Sequence, residues 1–505
     1  MHEPASGAGD SDPGGDPRPR RAGLLALAFG SGFAVMTIEI AGARLIAPVF
    51  GLSAVPWTAV IGVILSALAV GSHLGGRLAD AGRVPLAAVL AVAGFSAAIP
   101  VLGEGLPWLA RDVLGFIPGA LGSSLLLFAP PVLCLGAVVP YLVQADTESL
   151  SSVGRRAGDV SAAATAGSIA GTFATGFVLL PALPLPVLLA LTGAALLMMA
   201  ALSGRLLRRS AGAARLLAGA VGLGALGLTA ARPAPDTLHA EQTLYASVRV
   251  TERAWSNGRT VREMWQNGGS SSAEYVDDGE PAHAYATASL ALLGGRLAQI
   301  ESVLVLGGAA LSLPVAFQRR GPDMRIDVVE IDPAVTDLAR RYFAYGRRPH
   351  PGIRVFHEDG RVFLRSDGTT YDMVYLDVFD HLLTVPWTMV TVEALRDMRA
   401  RLRPDGLFVA NVLSPLVGPG TGFLERFGAT LAEVFDEVRV HVADPSVARD
   451  VTQNLIVIAG AGARALPGPE RPLAGVEPSG RPLTDAWAPV EYLQAKVLVD
   501  GLGWD

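Results

Sequence analysis

The chain has 505 residues, 51% apolar but only 17% charged, with 40 basic and 46 acidic side chains and a net charge of −6. Soluble domains usually carry about 25% charge, so this average hides two unlike parts. A single cysteine, Cys134, excludes a disulfide scaffold, a thiolate zinc site and an iron–sulfur cluster.

Residues 24–204 hold 13 charged side chains in 181, whereas residues 232–505 hold 62 in 274. An apolar half therefore precedes a soluble one. The 27 basic and 35 acidic residues of the soluble half argue against nucleic-acid binding as its main task. Residues 1–22, rich in Gly, Pro, Asp and Arg, read as a disordered tail.

Residues 23–231 are expected to form a transmembrane helical domain of about seven spans, since about 20 apolar residues cross a bilayer. The segments lie near 24–48, 57–79, 84–103, 113–143, 160–181, 186–203 and 214–231. The fourth contains Pro130-Pro131 and reads as a kinked helix or as a span plus a re-entrant piece, and the last is short. A multi-pass protein of the inner (plasma) membrane is expected. Arg18, Arg20 and Arg21, then Arg77 and Arg83, then Arg155 and Arg156, then Arg205, Arg208, Arg209 and Arg215 fall in alternate connections, which puts the N-terminus in the cytoplasm. Seven full spans would then export the soluble half. Because the nucleotide-type site described next takes a cytosolic ligand, a cytoplasmic catalytic domain is expected, with the fourth or last span in doubt.

Glu39 and Arg44 interrupt an apolar helix at a spacing poor for an intrahelical pair. Either Arg44 snorkels to an interface while Glu39 pairs with a neighbouring helix, or the two line a polar pathway. His73 reads as a loop residue near a helix end, and Gly167, Gly171 and Gly176 as close helix packing.

Beyond Pro233 and Pro235, residues 232–280 read as a small β subdomain. Ser247-Val248-Arg249-Val250-Thr251 alternates, Asn257-Gly258 signals a hairpin and Val261–Trp265 returns. Residues 281–505 begin with a helix from about Pro281 to Leu293. Strand and helix patterns then alternate, which predicts a Rossmann-like α/β domain with a parallel sheet and helices on both faces.

The chemistry gathers at the ends of four predicted strands. Ser302–Leu306 runs into the turn Gly307-Gly308, where backbone amides can approach a ligand. Ile326–Val329 ends in Glu330-Ile331-Asp332 about twenty residues on, where a carboxylate accepts ribose hydroxyls. Ile353–Phe356 leads to Asp359-Gly360, suited to an adenine amine, and Tyr371–Leu376 leads to Asp377 and Asp380. Each acid has a structural reading as a helix cap or turn former, but four together mark a ligand crevice.

With these motifs, the soluble half resembles the spermidine synthase family, a branch of the class I S-adenosylmethionine-dependent transferases. The whole chain is similar to bacterial fusions of multispanning helices with such a domain. Agreement extends through Gly30-Ser31-Gly32, Glu39, Arg44, Gly75-Gly76-Arg77-Leu78-Ala79-Asp80, Leu402-Arg403-Pro404-Asp405-Gly406, Asn411 and Pro489-Val490-Glu491. The resemblance implies aminopropyl transfer from decarboxylated S-adenosylmethionine to a diamine or related amine. It makes Asp377 the group that assists deprotonation and Asp380 a diamine anchor. Gly307, Gly308, Glu330, Asp332, Asp359 and Gly360 would bind the donor, and Tyr245 and Tyr285 would line the acceptor pocket or serve as core. The implied partners are a small-molecule amine, the lipid bilayer and a second copy of the chain; no metal is called for.

Two departures keep other readings open. The family's turn carries an acid after three glycines, whereas here it reads Gly307-Gly308-Ala309-Ala310-Leu311. Val378 and Phe379 replace the usual polar residues between the paired acids, and His381, a loop histidine or a base, follows. The alternatives are a methyl or other alkyl transferase using S-adenosylmethionine itself, and a transporter or sensor with a non-catalytic nucleoside-binding domain.

Overall fold

The computed structural model describes residues 17–51, 54–103, 105–147, 152–207, 212–230, 235–366, 368–379, 384–465 and 478–494. Strands β1 (Thr237–Gln242), β2 (Ser247–Ala254), β3 (Thr260–Gln266) and β4 (Gly269–Tyr275) form an antiparallel sheet in chain order. After the helix Ala284–Leu297 come β5 (Ser302–Leu306), β6 (Arg325–Val329), β7 (Ile353–Phe356) and β8 (Tyr371–Leu376). The last three are β9 (Leu402–Ser414), β10 (Val438–Val442) and β11 (Gln453–Ala459).

The second sheet has the order β10-β11-β9-β8-β5-β6-β7. From β5 the chain steps outward to β6 and β7, then returns to β8 and β9 on the other side, so the crevice of a doubly wound sheet lies beyond the carboxyl ends of β5 and β8. All five side chains of β5 are buried, the mark of a strand covered on both faces. The sheet is mixed, which corrects the expectation of a parallel one. Antiparallel β11 inserts between β9 and β10, because the loop from β10 to β11 is too short for a helical crossover and the chain must turn straight back.

Register then builds the crevice. Leu306 lies opposite both Val329 and Leu376, so the next residues, Gly307, Glu330 and Asp377, come level with one another at the sheet's edge.

The N-terminal half is helical. Among the described residues, five helices are long and apolar enough to cross a membrane; a sixth crossing results if the bent pair Leu86–Leu102 and Leu106–Leu114 is one span, and Arg215–Ala230 is a shorter apolar helix. Phe116–Asp146 is a single helix despite Pro130, Pro131 and Pro140, so the break expected there occurs before it, as a 73° bend. His73 lies within the helix Ala54–Ala81, exposed, and not in a loop.

The two ends of this helical half differ in chemistry. At one end Arg21 and Arg156 pair with Asp146, and Arg21 also pairs with Asp159. Tyr141 and Gln144 donate there to the carbonyls of Val84 and Ala79, at 2.9 and 2.8 Å. At the other end Arg111 donates to the Val49 carbonyl at 3.2 Å, the rings of Phe50 and Phe116 meet at 5.7 Å, and the Leu180–Ala182 turn packs against β1. The half that carries the two sheets therefore stands at the end opposite Arg21, Arg83, Arg156 and Arg205.

Helix packing relies on glycine at named places. A Cβ on Gly167 would lie 1.9 Å from the Phe29 carbonyl oxygen, and one on Gly32 would lie 2.0 Å from that of Ala164. Gly176 takes no part in this packing, contrary to expectation, since a Cβ there meets nothing within 4 Å. Gly167→Ala is expected to force the two helices apart at a cost of about 1–3 kcal/mol, while Gly176→Ala changes stability by less than about 0.5 kcal/mol. Thermal unfolding of the detergent-purified variants measures the difference.

Candidate functional site

A cavity of about 670 Å³ opens at the carboxyl ends of β5, β6 and β8, beneath the small antiparallel sheet. Its floor is the turn after β5. Gly307 sits at φ 91°, and a Cβ there would lie 2.2 Å from the Asp377 carbonyl oxygen, so only glycine fits. Ala309 and Leu311 hold left-handed backbone at φ 41° and 59°, each costing roughly 1 kcal/mol.

This strained turn aims the N–H groups of Gly308 and Ala309 at Glu330 Oε2, both at 3.0 Å, while Asp332 N–H donates to Oε1 at 3.1 Å. Burial pushes the Glu330 carboxyl up, and these three backbone bonds pull it back. A carboxylate has about four acceptor positions. Glu330 therefore keeps one acceptor position, on Oε1, for a ribose hydroxyl.

Asp377 is the second focus. Burial pushes it up to about 6, opposed by hydrogen bonds from Asn411 and Tyr285. Asn411 donates to Oδ1 at 2.9 Å, and Asn454 donates to the Asn411 side-chain oxygen at 3.0 Å, which fixes the Asn411 amide with its N–H group toward the acid. The Tyr285 hydroxyl stays protonated, held well above its usual value first by burial and then by the Asp377 charge. A buried carboxylate near pH 6 with two fixed donors can accept a proton from a bound amine.

The other predicted residues divide. Asp359 lines the cavity and also caps the helix Gly360–Ser366, accepting from Arg361 and Val362 N–H at 2.8 and 3.1 Å. Asp332 caps Pro333–Tyr342 through Ala334 N–H at 3.0 Å, and its other oxygen is buried with no hydrogen-bond partner among the described residues. Gly360 lines the cavity, and Tyr245, 45% exposed, stands at its rim. Gly308 acts through its N–H and is not part of the lining. Asp380 and His381 lie outside the described residues.

The cavity also contains side chains for which the sequence assigned no role. His283, just before the Ala284–Leu297 helix, has Nε2 3.0 Å from Ser270 Oγ; that hydroxyl donates to Glu263, which holds Arg253 at 2.7 Å. Burial draws His283 down to about 4, so its ring is neutral at physiological pH. Glu491 lines the cavity from the C-terminal segment, with no hydrogen bond or ion pair among the described residues. That segment is anchored by Asp485, which accepts from Thr391 at 2.6 Å and Arg361 at 3.0 Å. Ala310, where the family's turn turns acidic, is fully buried under the small sheet with Val248 and Met264.

Only the ionised form of Asp377 accepts a proton. Any turnover that uses it should therefore fall tenfold per pH unit below about pH 6 and level off above. Asn411→Leu removes a bond that favours the charged form, so a pH–rate profile should show this limb displaced to higher pH. Asp377→Asn should abolish turnover.

The family model for the spermine/spermidine synthase domain matches residues 287–442. A polyamine aminopropyltransferase of Vibrio vulnificus is 32% identical over 140 residues, 27% of this chain and 44% of that protein. A probable polyamine aminopropyl transferase of Bifidobacterium longum is 31% identical over 189 residues, 37% of this chain and 40% of that protein. Among solved structures, a probable spermidine synthase from Corynebacterium glutamicum aligns with a TM-score of 0.39 at 24% identity, covering 45% of this chain and 81% of that one. The chain spans less than half the length of the curated relatives named here. The matched residues 287–442 contain Glu330, Asp359, Asp377 and Asn411, so this part of the chain is similar to the spermine/spermidine synthase domain.

Proposed function

We propose that the protein is a membrane-anchored aminopropyltransferase, moving an aminopropyl group from decarboxylated S-adenosylmethionine to a diamine or related amine. The observation that carries this reading is the buried Asp377, level with the glycine turn and held by Asn411 and Tyr285. Glu330 would accept a ribose hydroxyl of the donor, and Asp359 would accept from its adenine amine. The acceptor amine, with an ordinary pKa near 10, would give a proton to Asp377 as its nitrogen attacks the carbon next to the sulfonium. The new C–N bond forms as the C–S bond breaks. The electron pair returns to sulfur, and methylthioadenosine leaves as a neutral thioether. Glu491 is suited to a distal ammonium group, because it is a carboxylate in the same cavity with no hydrogen bond or ion pair among the described residues.

One observation favours a second reading. Ala309 and Ala310 offer no charge to an aminopropyl ammonium group, which suits methyl or other alkyl transfer from S-adenosylmethionine. The products separate the two. Incubation with putrescine and the decarboxylated donor is expected to yield methylthioadenosine, and Glu491→Gln to raise the putrescine KM about tenfold, the weight of one charge-assisted hydrogen bond. S-adenosylhomocysteine from S-adenosylmethionine, with no methylthioadenosine from its decarboxylated form, would establish the alternative.

Anchoring rests on the apolar helices, and two arguments disagree about the side. A donor made in the cytoplasm places the catalytic half there. The arginines argue otherwise: they gather at the end away from the catalytic half, and such ends face the cytoplasm. Doubt about the span count does not remove the conflict, since Phe116–Asp146 is continuous and the helix Ala213–Ala230 runs back toward the catalytic end beside Leu185–Leu206. In a Cys134→Ala background, the charge rule predicts that an impermeant maleimide added to intact protoplasts labels Glu433→Cys and spares Ala81→Cys. The reverse pattern would restore the cytoplasmic placement.

A further inference from the structure

The first long helix, Pro17–Phe50, does more than precede the catalytic half, because its last two turns touch the site. Arg44 leaves an apolar helix to donate to the Leu244 carbonyl at 2.8 Å. Leu244 sits in the turn between β1 and β2, tightened by Thr243 Oγ1, which accepts from Tyr245 and Ala246 N–H at 3.0 and 2.9 Å. That turn carries Tyr245 to the cavity rim.

The neighbouring turn, Asn267-Gly268 between β3 and β4, has φ 47° and 82° and rests on the same helix. A Cβ on Gly268 would lie 2.5 Å from the Pro48 carbonyl oxygen. Asn267 lines the cavity and accepts from Ser247 N–H at 3.0 Å, so both turns are linked. Gly51, just past the helix end, is itself part of the cavity wall. Across the interface the Arg44 charge faces Asp332, whose second oxygen has no hydrogen-bond partner among the described residues.

We propose that this helix end completes the donor site, with Arg44 as a positioning residue that seats the roof turns. Gly51 supplies part of the cavity wall, and Pro48 seats the turn that carries Asn267 into it. The inference rests on the proposed function only for the nucleoside character of the donor. It adds that a site in the soluble half takes its shape from a helix of the membrane half.

The test is titration of the full-length, detergent-solubilised protein with methylthioadenosine by calorimetry. Arg44→Gln is expected to weaken binding about tenfold, and Arg44→Lys to recover most of that loss. Gly268→Ala, which displaces the helix end with Arg44 intact and adds strain at φ 82°, should weaken binding similarly, while Arg44→Gln should keep the parent's unfolding temperature within about 2 °C. Parent-like affinity in both Arg44→Gln and Gly268→Ala would overturn the inference while leaving the donor assignment standing. A parent that binds no methylthioadenosine would overturn the donor assignment, and this inference with it.

Discussion

The close approach of Gly307 to the carbonyl of Asp377 is the constraint on which the site depends. Two parallel strands, β5 and β8, end at the same level, and the chain leaving β5 must turn aside at once or strike the chain leaving β8. Glycine alone satisfies this, and the following left-handed residues complete a turn whose N–H groups converge on Glu330. Had β5 and β8 been offset by one residue, the acid and the turn would not share a cavity. The energy that holds this register comes largely from the apolar side chains of the strands beneath, each buried Val, Leu or Ile contributing about 1.5–3 kcal/mol.

Much of the architecture was legible because it follows from short-range pattern. The apolar runs, the strand-to-acid transitions at Glu330 and Asp377 and the glycine turn are all local signals, and local register carries them into the site. What escaped reading depends on distant pairs. The antiparallel insertion of β11 is a topological fact, and it brings Asn454 to Asn411 and so to the acid. His283 and Glu491 reach the cavity from segments far apart in sequence, with nothing nearby to mark them. Arg44 was visible as an anomaly in an apolar helix, yet its partner is the carbonyl of Leu244, 200 positions away.

The acids show why composition alone misleads. Asp332 and Asp359 cap helices as any first-turn aspartate does, and each also lines the cavity. Structural and functional readings are not exclusive here, since a cap fixes the carboxylate that a ligand then meets. Asp372 is the contrasting case: Ser302 and Arg403 engage it at the other end of its strand, and it holds the sheet together.

The place of β11 also has a consequence for timing. Ribosomes deliver β8 with Asp377 well before the strand carrying Asn454, and synthesis proceeds at about 5–20 residues per second. For several seconds the nascent chain therefore has the acid without the amide relay that sets its hydrogen bonding. The segment carrying Glu491 emerges later still. The apolar helices are made first, so Gly51 is in the chain long before the rest of the wall it joins, and the cavity is complete only once the segment with Glu491 is in place.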